Sequence, residues 1–207
     1  MKDYISILRF DHWIKNIFVL PGALIALIIF SKDLSLNLFI NVFVATLAAS
    51  FIASANYAIN EWLDRHADAL HPDKQNRPAV KGSVSFTGVC AVYFLMSFLG
   101  LFLGFFINEY VFITLICFMI SGLIYNVKPI RAKDLIYFDV IIESVNNPIR
   151  MFIGWFAVVE NALIPLSLII FYWFLGAFMM NAKRLSEWKK FDSKKDRLMY
   201  RPSLGNY

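Results

Sequence analysis

Two long runs without any charged residue restrict the folds open to this chain. Residues 86–107 contain none in 22 positions, and residues 162–182 contain none in 21. An α-helix needs about 20 apolar residues to cross the hydrocarbon core of a bilayer. The whole chain of 207 residues is 59% hydrophobic and only 17% charged, whereas a soluble domain has about 25% charged residues. The sequence therefore predicts an integral membrane protein.

The predicted fold class is all-α, a polytopic transmembrane helical bundle that forms one domain over residues 1–207. We expect a kink at Pro21-Gly22, because a proline inside a helix removes a hydrogen bond, and we expect Pro165 in the first turn of the last helix. Residues 183–207 form a polar, charged segment. The six predicted helices cover about 14–31, 36–60, 84–107, 110–126, 135–159 and 162–182.

The basic residues are sorted to one side of these helices. Eighteen of the 20 Lys and Arg residues fall in the N-terminal segment, the two long polar loops and the tail, while Lys32 lies opposite and Arg150 lies within helix five. Cytoplasmic loops carry such an excess. Both termini are therefore predicted to be cytoplasmic, in a bacterial-type cell membrane. The net charge of +5 reflects this sorting and the anionic lipid headgroups, with no nucleic acid as partner.

Two stripes of polar residues point to a functional site. In helix two, Asn56, Asn60, Asp64 and Asp68 are four residues apart and so share one face. A solvated helix end is the alternative reading. The second stripe, in helix five, consists of Asp139, Glu143, Asn146, Asn147 and Arg150.

Ionised side chains at membrane depth are costly and tend to face a cavity or a partner. An ion pair between Glu143 and Arg150 that pins two helices is the simpler explanation of the second stripe, although the stripe holds more polar groups than one pair needs. Mg²⁺ prefers oxygen ligands, usually one or two carboxylates with substrate phosphates and waters. Two acidic stripes beside basic loops therefore suit a magnesium-bridged diphosphate. The loop residues in question are Arg77, Lys81, Lys128, Arg131 and Lys133.

The order Asn60-Glu61-x-x-Asp64-x-x-x-Asp68, followed by Arg77-Pro78, resembles the first aspartate-rich motif of the UbiA superfamily of intramembrane prenyltransferases. Asp139-x-x-x-Glu143 resembles the second motif. The resemblance implies about nine transmembrane helices around a cavity, with Mg²⁺ and the donor diphosphate held by both motifs. Six predicted helices suggest a chain truncated relative to that fold, or a cavity completed by another chain.

Carried over by position, the resemblance assigns three groups of residues. The catalytic residues are Asp64, Asp68 and Asp139. The metal ligands are Asn60, Glu61, Asp64, Asp68, Asp139 and Glu143. The residues that would contact the donor's phosphates are Asn60, Arg77 and Lys128. We further predict that Lys15, Lys81, Arg131, Asn146 and Arg150 bind substrate. Glu61 and Glu143 stand where aspartate is usual, so their reach to a metal is longer by one methylene.

Two further segments resemble the superfamily branch that transfers phosphoribose to a polyprenyl phosphate. These are Leu8–Asn16, read as LRFDHWIKN, and His71–Pro78, read as HPDKQNRP. Phe10 and His12 replace the usual proline and glutamine, so the match is partial.

Three functions stay open. The first is prenyl transfer from an isoprenoid diphosphate, with Tyr57, Tyr137 or Trp155 stabilising the developing cation. The second is phosphoribosyl transfer from phosphoribosyl pyrophosphate. The third is a carrier or a non-catalytic truncated relative.

Overall fold

The structure of the chain, a computed structural model, describes residues 2–206 and contains no strand within that range. The first and last residues of the predicted domain, 1 and 207, lie outside it. The α-helices in chain order are α1 Lys2–Ser6, α2 Val19–Ile29, α3 Leu36–Asp68, α4 Phe86–Phe105, α5 Glu109–Asn126, α6 Phe138–Val158, α7 Leu166–Trp188 and α8 Lys194–Tyr200. Short 3₁₀ segments cover Phe10–Phe18, Ala132–Asp134 and Leu204–Asn206.

Side-chain caps fix where several of these helices begin. The Ser35 hydroxyl accepts a hydrogen bond from the Leu38 amide at 3.2 Å, and the Ser85 hydroxyl accepts one from the Gly88 amide at 3.1 Å. Such caps satisfy amide groups that the first turn of a helix leaves without a partner.

Five segments are long and apolar enough to cross a membrane, judged by length and composition: Lys2–Ile29, Leu36–Asp68, Phe86–Phe105, Glu109–Asn126 and Leu166–Trp188. The sixth predicted span, α6, is present as a helix but is less apolar because it carries the polar stripe. It packs against α2, α3, α5 and α7. A helix that faces protein on most sides needs less hydrophobicity than one that faces lipid.

Close contact between α2 and α6 depends on two glycines. A Cβ atom on Gly22 would lie 2.0 Å from the Met151 carbonyl oxygen, and a Cβ atom on Gly154 would lie 1.8 Å from that of Val19. No larger residue fits at either position without moving a backbone, as in other small-residue contacts between membrane helices.

Several predicted helix ends differ from the observed ones. The break in the first span falls between Phe18 and Val19, and Pro21 occupies the first turn of α2, where its missing N–H is tolerated. Helix α3, which corresponds to the second predicted helix, continues to Asp68, eight residues past its predicted end. The last long helix begins at Leu166, after Pro165, and continues to Trp188.

The loops 69–85 and 127–137 and the segment 189–206 meet at one end of the bundle, which we call the basic end. Ser203 donates a hydrogen bond to the Lys133 carbonyl oxygen at 2.9 Å. Lys190 pairs with Asp73. The rings of Phe191 and Tyr200 stack at 4.9 Å between centroids, and His71 packs against both.

Candidate functional site

A cavity of about 110 Å³ lies between α3, α5, α6 and α7, near the basic end. Its lining includes three acidic residues, Asp64, Glu143 and Glu187. Lysine and arginine are more numerous in it. They are Arg9, Lys15, Lys74, Arg77, Arg150, Lys183 and Arg201. The excess of positive charge suits an anionic ligand.

The predicted stripe on α3 is brought to this cavity. Asn56, Asn60 and Asp64 line it, and Asp68 lies one turn further along, beside a smaller adjoining space. This placement follows from the spacing of four, because 3.6 residues per turn keep such side chains on one face.

Asp64 is held by two cations of the loop 127–137. Arg131 Nη2 lies 2.9 Å and Lys133 Nζ 2.5 Å from its Oδ1 atom. Lys133 also donates to the side-chain oxygens of Asn60, at 3.0 Å, and Asn126, at 2.9 Å. Lys133 is 1% exposed, and this burial lowers its pKa to about 8, against the opposing effect of Asp64.

Asp68 is neutralised by the loop 69–85. Arg77 pairs with its carboxylate, and Lys74 Nζ lies 3.7 Å from it. Lys74 also contacts Glu187 at 3.4 Å and the Tyr200 hydroxyl. Burial lowers the pKa of Lys74. One lysine thus connects α3, α7 and α8.

Glu61 is buried and turned away from the cavity. Its Oε2 atom accepts a hydrogen bond from Arg9 Nη2 at 2.7 Å.

Arg9 and Arg131 both adopt left-handed backbone conformations, with φ of 51° and 40°. Such conformations are strained for residues other than glycine and persist only where surrounding contacts impose them.

The two acidic residues of the α6 stripe face different partners. Asp139 is completely buried, and its Oδ2 atom lies 2.6 Å from Arg184 Nε and 3.3 Å from the Ser203 hydroxyl. Glu143 lines the cavity and accepts a hydrogen bond from Asn146 Nδ2 at 3.2 Å. Asp139 therefore joins α6 to α7 through Arg184, whereas Glu143 forms part of the cavity wall.

The predicted substrate-binding residues are only partly brought together. Asn60, Arg77, Lys15, Asn146 and Arg150 line the cavity. Arg131 binds Asp64 and does not line the cavity, and Lys81 and Lys128 are exposed outside it. Contact of these three residues with phosphate stays a prediction.

Several cavity residues were not singled out from the sequence. Lys183 and Glu187 are four residues apart on α7, so a longer helix prediction would have placed them on one face. Arg201 reaches the cavity from beyond α8, and its Nη1 atom donates to the Tyr125 hydroxyl at 3.2 Å. No local sequence pattern marks Arg201, because the folding of segment 189–206 brings it there.

The donor set fits magnesium bound together with phosphate. Asp64, Asn60 and Glu143 offer oxygen atoms to the cavity. Residues 2–206 contain no group of three or more His, Cys, Asp or Glu side chains that could hold a metal ion unaided. Mg²⁺ is commonly bound by one or two carboxylates, with substrate phosphates and waters as further ligands. The cavity matches that arrangement and not an all-protein metal cage.

Fold and cavity together define an integral membrane protein whose helices enclose a cationic, carboxylate-bearing cavity near one end. The chain belongs to the UbiA prenyltransferase family, whose family model matches residues 18–201.

Two relatives are detected by sequence. The protoheme IX farnesyltransferase of Methylococcus capsulatus is 30% identical over an alignment of 141 residues, covering 62% of this chain and 44% of the relative. The bacteriochlorophyll synthase 33 kDa chain of Rhodobacter capsulatus is 29% identical over 87 residues, covering 42% of this chain and 28% of that one. The chain thus spans less than half the length of either relative.

Solved structures show the same fold. A UbiA homolog from Archaeoglobus fulgidus bound to DMAPP and Mg²⁺ superposes with a TM-score of 0.76 at 22% identity, covering 97% of this chain and 67% of that one. A digeranylgeranylglyceryl phosphate synthase structure gives a TM-score of 0.70 at 18% identity, covering all of this chain and 68% of the other. At these identities the likeness establishes the fold.

Proposed function

We propose that this protein is a magnesium-dependent membrane transferase of the UbiA type, which moves a prenyl group from a prenyl diphosphate to an acceptor. The observation that carries the proposal is the cavity, where Asp64 and Asn60 of α3 face the same space as Glu143 of α6 and seven cations. The matching A. fulgidus protein, which is described as bound to DMAPP and Mg²⁺, supports it.

Asp64, Asn60 and Glu143 would hold the Mg²⁺ ion. When bound, the ion would neutralise charge on the diphosphate as the C–O bond breaks. Asp68, Glu61 and Asp139, the other predicted ligands, each contact a cation of this chain. Their contact with metal, like that of Asp64, which pairs with Arg131 and Lys133, stays a proposal that requires those cations to shift.

Basic side chains would bind the diphosphate as it leaves. Lys74, Arg77 and Arg201 line the cavity beside Asp64, and charge-assisted hydrogen bonds from such groups to phosphate oxygens are strong. Among the aromatic residues proposed to stabilise the carbon cation, Tyr57 lines the cavity. Tyr137 is 68% exposed in a loop, and Trp155 is fully buried in a separate cluster with Ala26.

The test is turnover of a labelled prenyl diphosphate by purified protein in lipid nanodiscs, with Mg²⁺. Asp64→Asn should lower turnover by about a hundredfold or more, because metal contacts contribute several kcal/mol to the transition state. Asp33→Asn is the matched control, since Asp33 is exposed in the loop before α3. Full activity of Asp64→Asn at saturating Mg²⁺ would contradict the proposal.

A second candidate is phosphoribosyl transfer from phosphoribosyl pyrophosphate to a polyprenyl phosphate. The cavity wall favours it, because only three of its described lining residues, Ala53, Phe118 and Gly122, have no polar side-chain group, and the others are polar or charged. A prenyl chain needs apolar walls, whereas a phosphorylated sugar needs polar ones. Arg9, His12 and Arg77 also line a neighbouring polar pocket, which offers a water-soluble donor a route from the basic end.

We place the basic end at the cytoplasm, on the asymmetry of Lys and Arg. The two candidates differ in their products. Protein supplied with labelled phosphoribosyl pyrophosphate and a polyprenyl phosphate would place the label in a lipid extract, whereas prenyl transfer would consume a prenyl diphosphate. Protein that ignores both donors while moving an ion would instead indicate a carrier.

A further inference from the structure

Helix α8 has one face that packs on the bundle. Tyr200 is buried, and its ring stacks on that of Phe191 at 4.9 Å between centroids. The Arg197 guanidinium lies 3.7 Å from the centroid of the Trp188 ring, and its Nη2 atom donates to the Phe191 carbonyl oxygen at 2.9 Å. These contacts fix the rotation of α8 about its own axis, so the residues of its other face are turned away from the bundle.

That other face combines two lysines with two apolar side chains. Lys194 and Leu198 are four residues apart, as are Lys195 and Met199, so each lysine lies one turn from an apolar residue. Leu198 is 39% exposed and Met199 56%. Leu70, just past the end of α3, is also exposed and lines a shallow groove together with Met199. We call these five residues the interfacial patch.

The two lysines of the patch are free to bind an external anion. Lys194 and Lys195 are exposed, and neither forms a salt bridge within residues 2–206. The segment 189–206 contains six basic residues and two acidic ones. Of the acidic ones, Asp196 already accepts a hydrogen bond from the Ser193 hydroxyl at 2.7 Å. The charge of this segment therefore complements an anionic surface.

Helix α8 lies at the level of the membrane surface. The 23 residues of α7 extend about 34 Å, slightly more than the hydrocarbon thickness of about 30 Å. Trp188 at the end of α7 therefore reaches the headgroup region, where tryptophan is enriched in membrane proteins. Its contact with Arg197 holds α8 at the same level. Exposed apolar side chains at this level have acyl chains within reach.

We propose that the interfacial patch binds anionic phospholipids of the adjacent leaflet. The ammonium groups of Lys194 and Lys195 contact lipid phosphates, and the three apolar side chains contact the upper carbons of the acyl chains. Interfacial helices divide their charged and apolar groups in the same way. The proposal goes beyond the transferase activity and requires only that the chain is embedded in a membrane.

The bound lipid has a structural consequence for the basic end. The patch belongs to the same segment as Tyr200 and Arg201, which contact Lys74 and Tyr125. A ligand that binds the folded segment, and not the loosened one, stabilises its packing on the bundle.

The experiment titrates dioctanoyl phosphatidylglycerol into the full chain in neutral detergent, and native mass spectrometry gives the dissociation constant. Dioctanoyl phosphatidylcholine is the zwitterionic comparison. Lys194→Gln combined with Lys195→Gln should weaken phosphatidylglycerol binding about 25-fold, or about fivefold for each lysine. The same variant should leave phosphatidylcholine binding within about twofold. Met199→Gln should weaken both lipids about threefold, because the apolar contact does not depend on headgroup charge.

The matched control is Lys2→Gln combined with Lys32→Gln. It removes the same two charges from exposed lysines outside the patch, and phosphatidylglycerol binding should stay within about twofold. Lys194, Lys195 and Met199 are all exposed, so their variants should unfold at the same temperature as the control.

Hydrogen exchange locates the bound lipid. Amides of residues 189–200 should exchange more slowly in nanodiscs that contain phosphatidylglycerol than in nanodiscs of phosphatidylcholine alone. Equal dissociation constants of the two lipids for the unsubstituted protein would overturn the proposal, as would a patch double variant that binds phosphatidylglycerol as tightly as the control. Glycerol 3-phosphate that binds as tightly as phosphatidylglycerol would indicate a site for soluble anions and would equally contradict it.

Discussion

Lys133 Nζ lies 2.5 Å from Asp64 Oδ1, so a buried ion pair joins α3 to the loop before α6. Arg131 completes the neutralisation of the same carboxylate. In the proposed function, a Mg²⁺ ion at Asp64 would therefore compete with the protein's own cations for this carboxylate. Those cations could move from carboxylate to phosphate oxygens as substrate binds, which conserves charge within the cavity.

Lys133→Met should destabilise the protein on the order of 3 kcal/mol, because removing one partner of a buried pair leaves an uncompensated charge. Arg131 limits the loss by remaining on Asp64. Thermal unfolding in nanodiscs measures the effect, with Lys189→Met as the control on an exposed lysine. An unfolding temperature equal to that of the control variant would show that the pair does not stabilise the fold.

Asp139→Asn should abolish turnover and also lower stability, by about 1.5–3 kcal/mol for a lost hydrogen bond to a charged group. Asp139 fixes Arg184, which also contacts Glu187 and the Tyr125 hydroxyl. The measurement is turnover over a range of Mg²⁺ concentrations together with thermal unfolding. Rescue by excess Mg²⁺ would indicate a metal ligand, whereas loss without rescue would indicate that Asp139 positions Arg184. Full activity would contradict both roles.

Removal of divalent metal should stop the reaction reversibly, because the carboxylates of Asp64 and Glu143 would then face the diphosphate without a bridging cation. Turnover is measured before chelation, in excess EDTA, and after Mg²⁺ is restored. Activity that persists in the chelator would remove the case for magnesium. Activity that does not return would indicate that the protein unfolds without metal.

Acidification should loosen the segment 189–206. Burial, and then Lys74 and Lys190, lower the pKa of His71 below its ordinary value of 6.5, while Glu187 and Asp73 oppose them. The unfolded chain therefore binds a proton at higher pH than the folded one, and stability falls as pH drops through 6.5. Unfolding temperatures at pH 7.5 and 5.5 provide the test. His71→Gln should show a smaller drop than the unsubstituted protein, and an equal drop would refute the role of His71.

The local part of the site could be predicted from the sequence. Asn60, Asp64 and Asp68 share a face because helical periodicity depends only on spacing, and Glu143, Asn146 and Arg150 reach the cavity from α6 for the same reason. The membrane fold followed from apolar runs long enough to span a bilayer.

The pairing of charges could not be predicted in the same way. The partners of Asp139 and Asp64, Arg184 and Arg131, are 45 and 67 residues away in the chain. Spacing therefore assigned Asp139 and Glu143 to one face but gave no means to tell that one contacts Arg184 and the other lines the cavity. The predicted spans also end too early, at residues 60 and 182, because the residues that follow are charged and lie past the apolar region. The spacing of four through Asp68 already indicates that the helix of Asn60 continues.

The 33 residues of α3 extend about 50 Å, whereas the hydrocarbon layer is about 30 Å thick. The final turns, which carry Asp64 and Asp68, can therefore stand at the level of the lipid headgroups instead of among the acyl chains. In the proposed reaction, diphosphate released at that level would diffuse into water, while the prenylated product would stay dissolved in the bilayer. The length of α3 thus allows a single site to be in contact with both the bilayer and the aqueous phase.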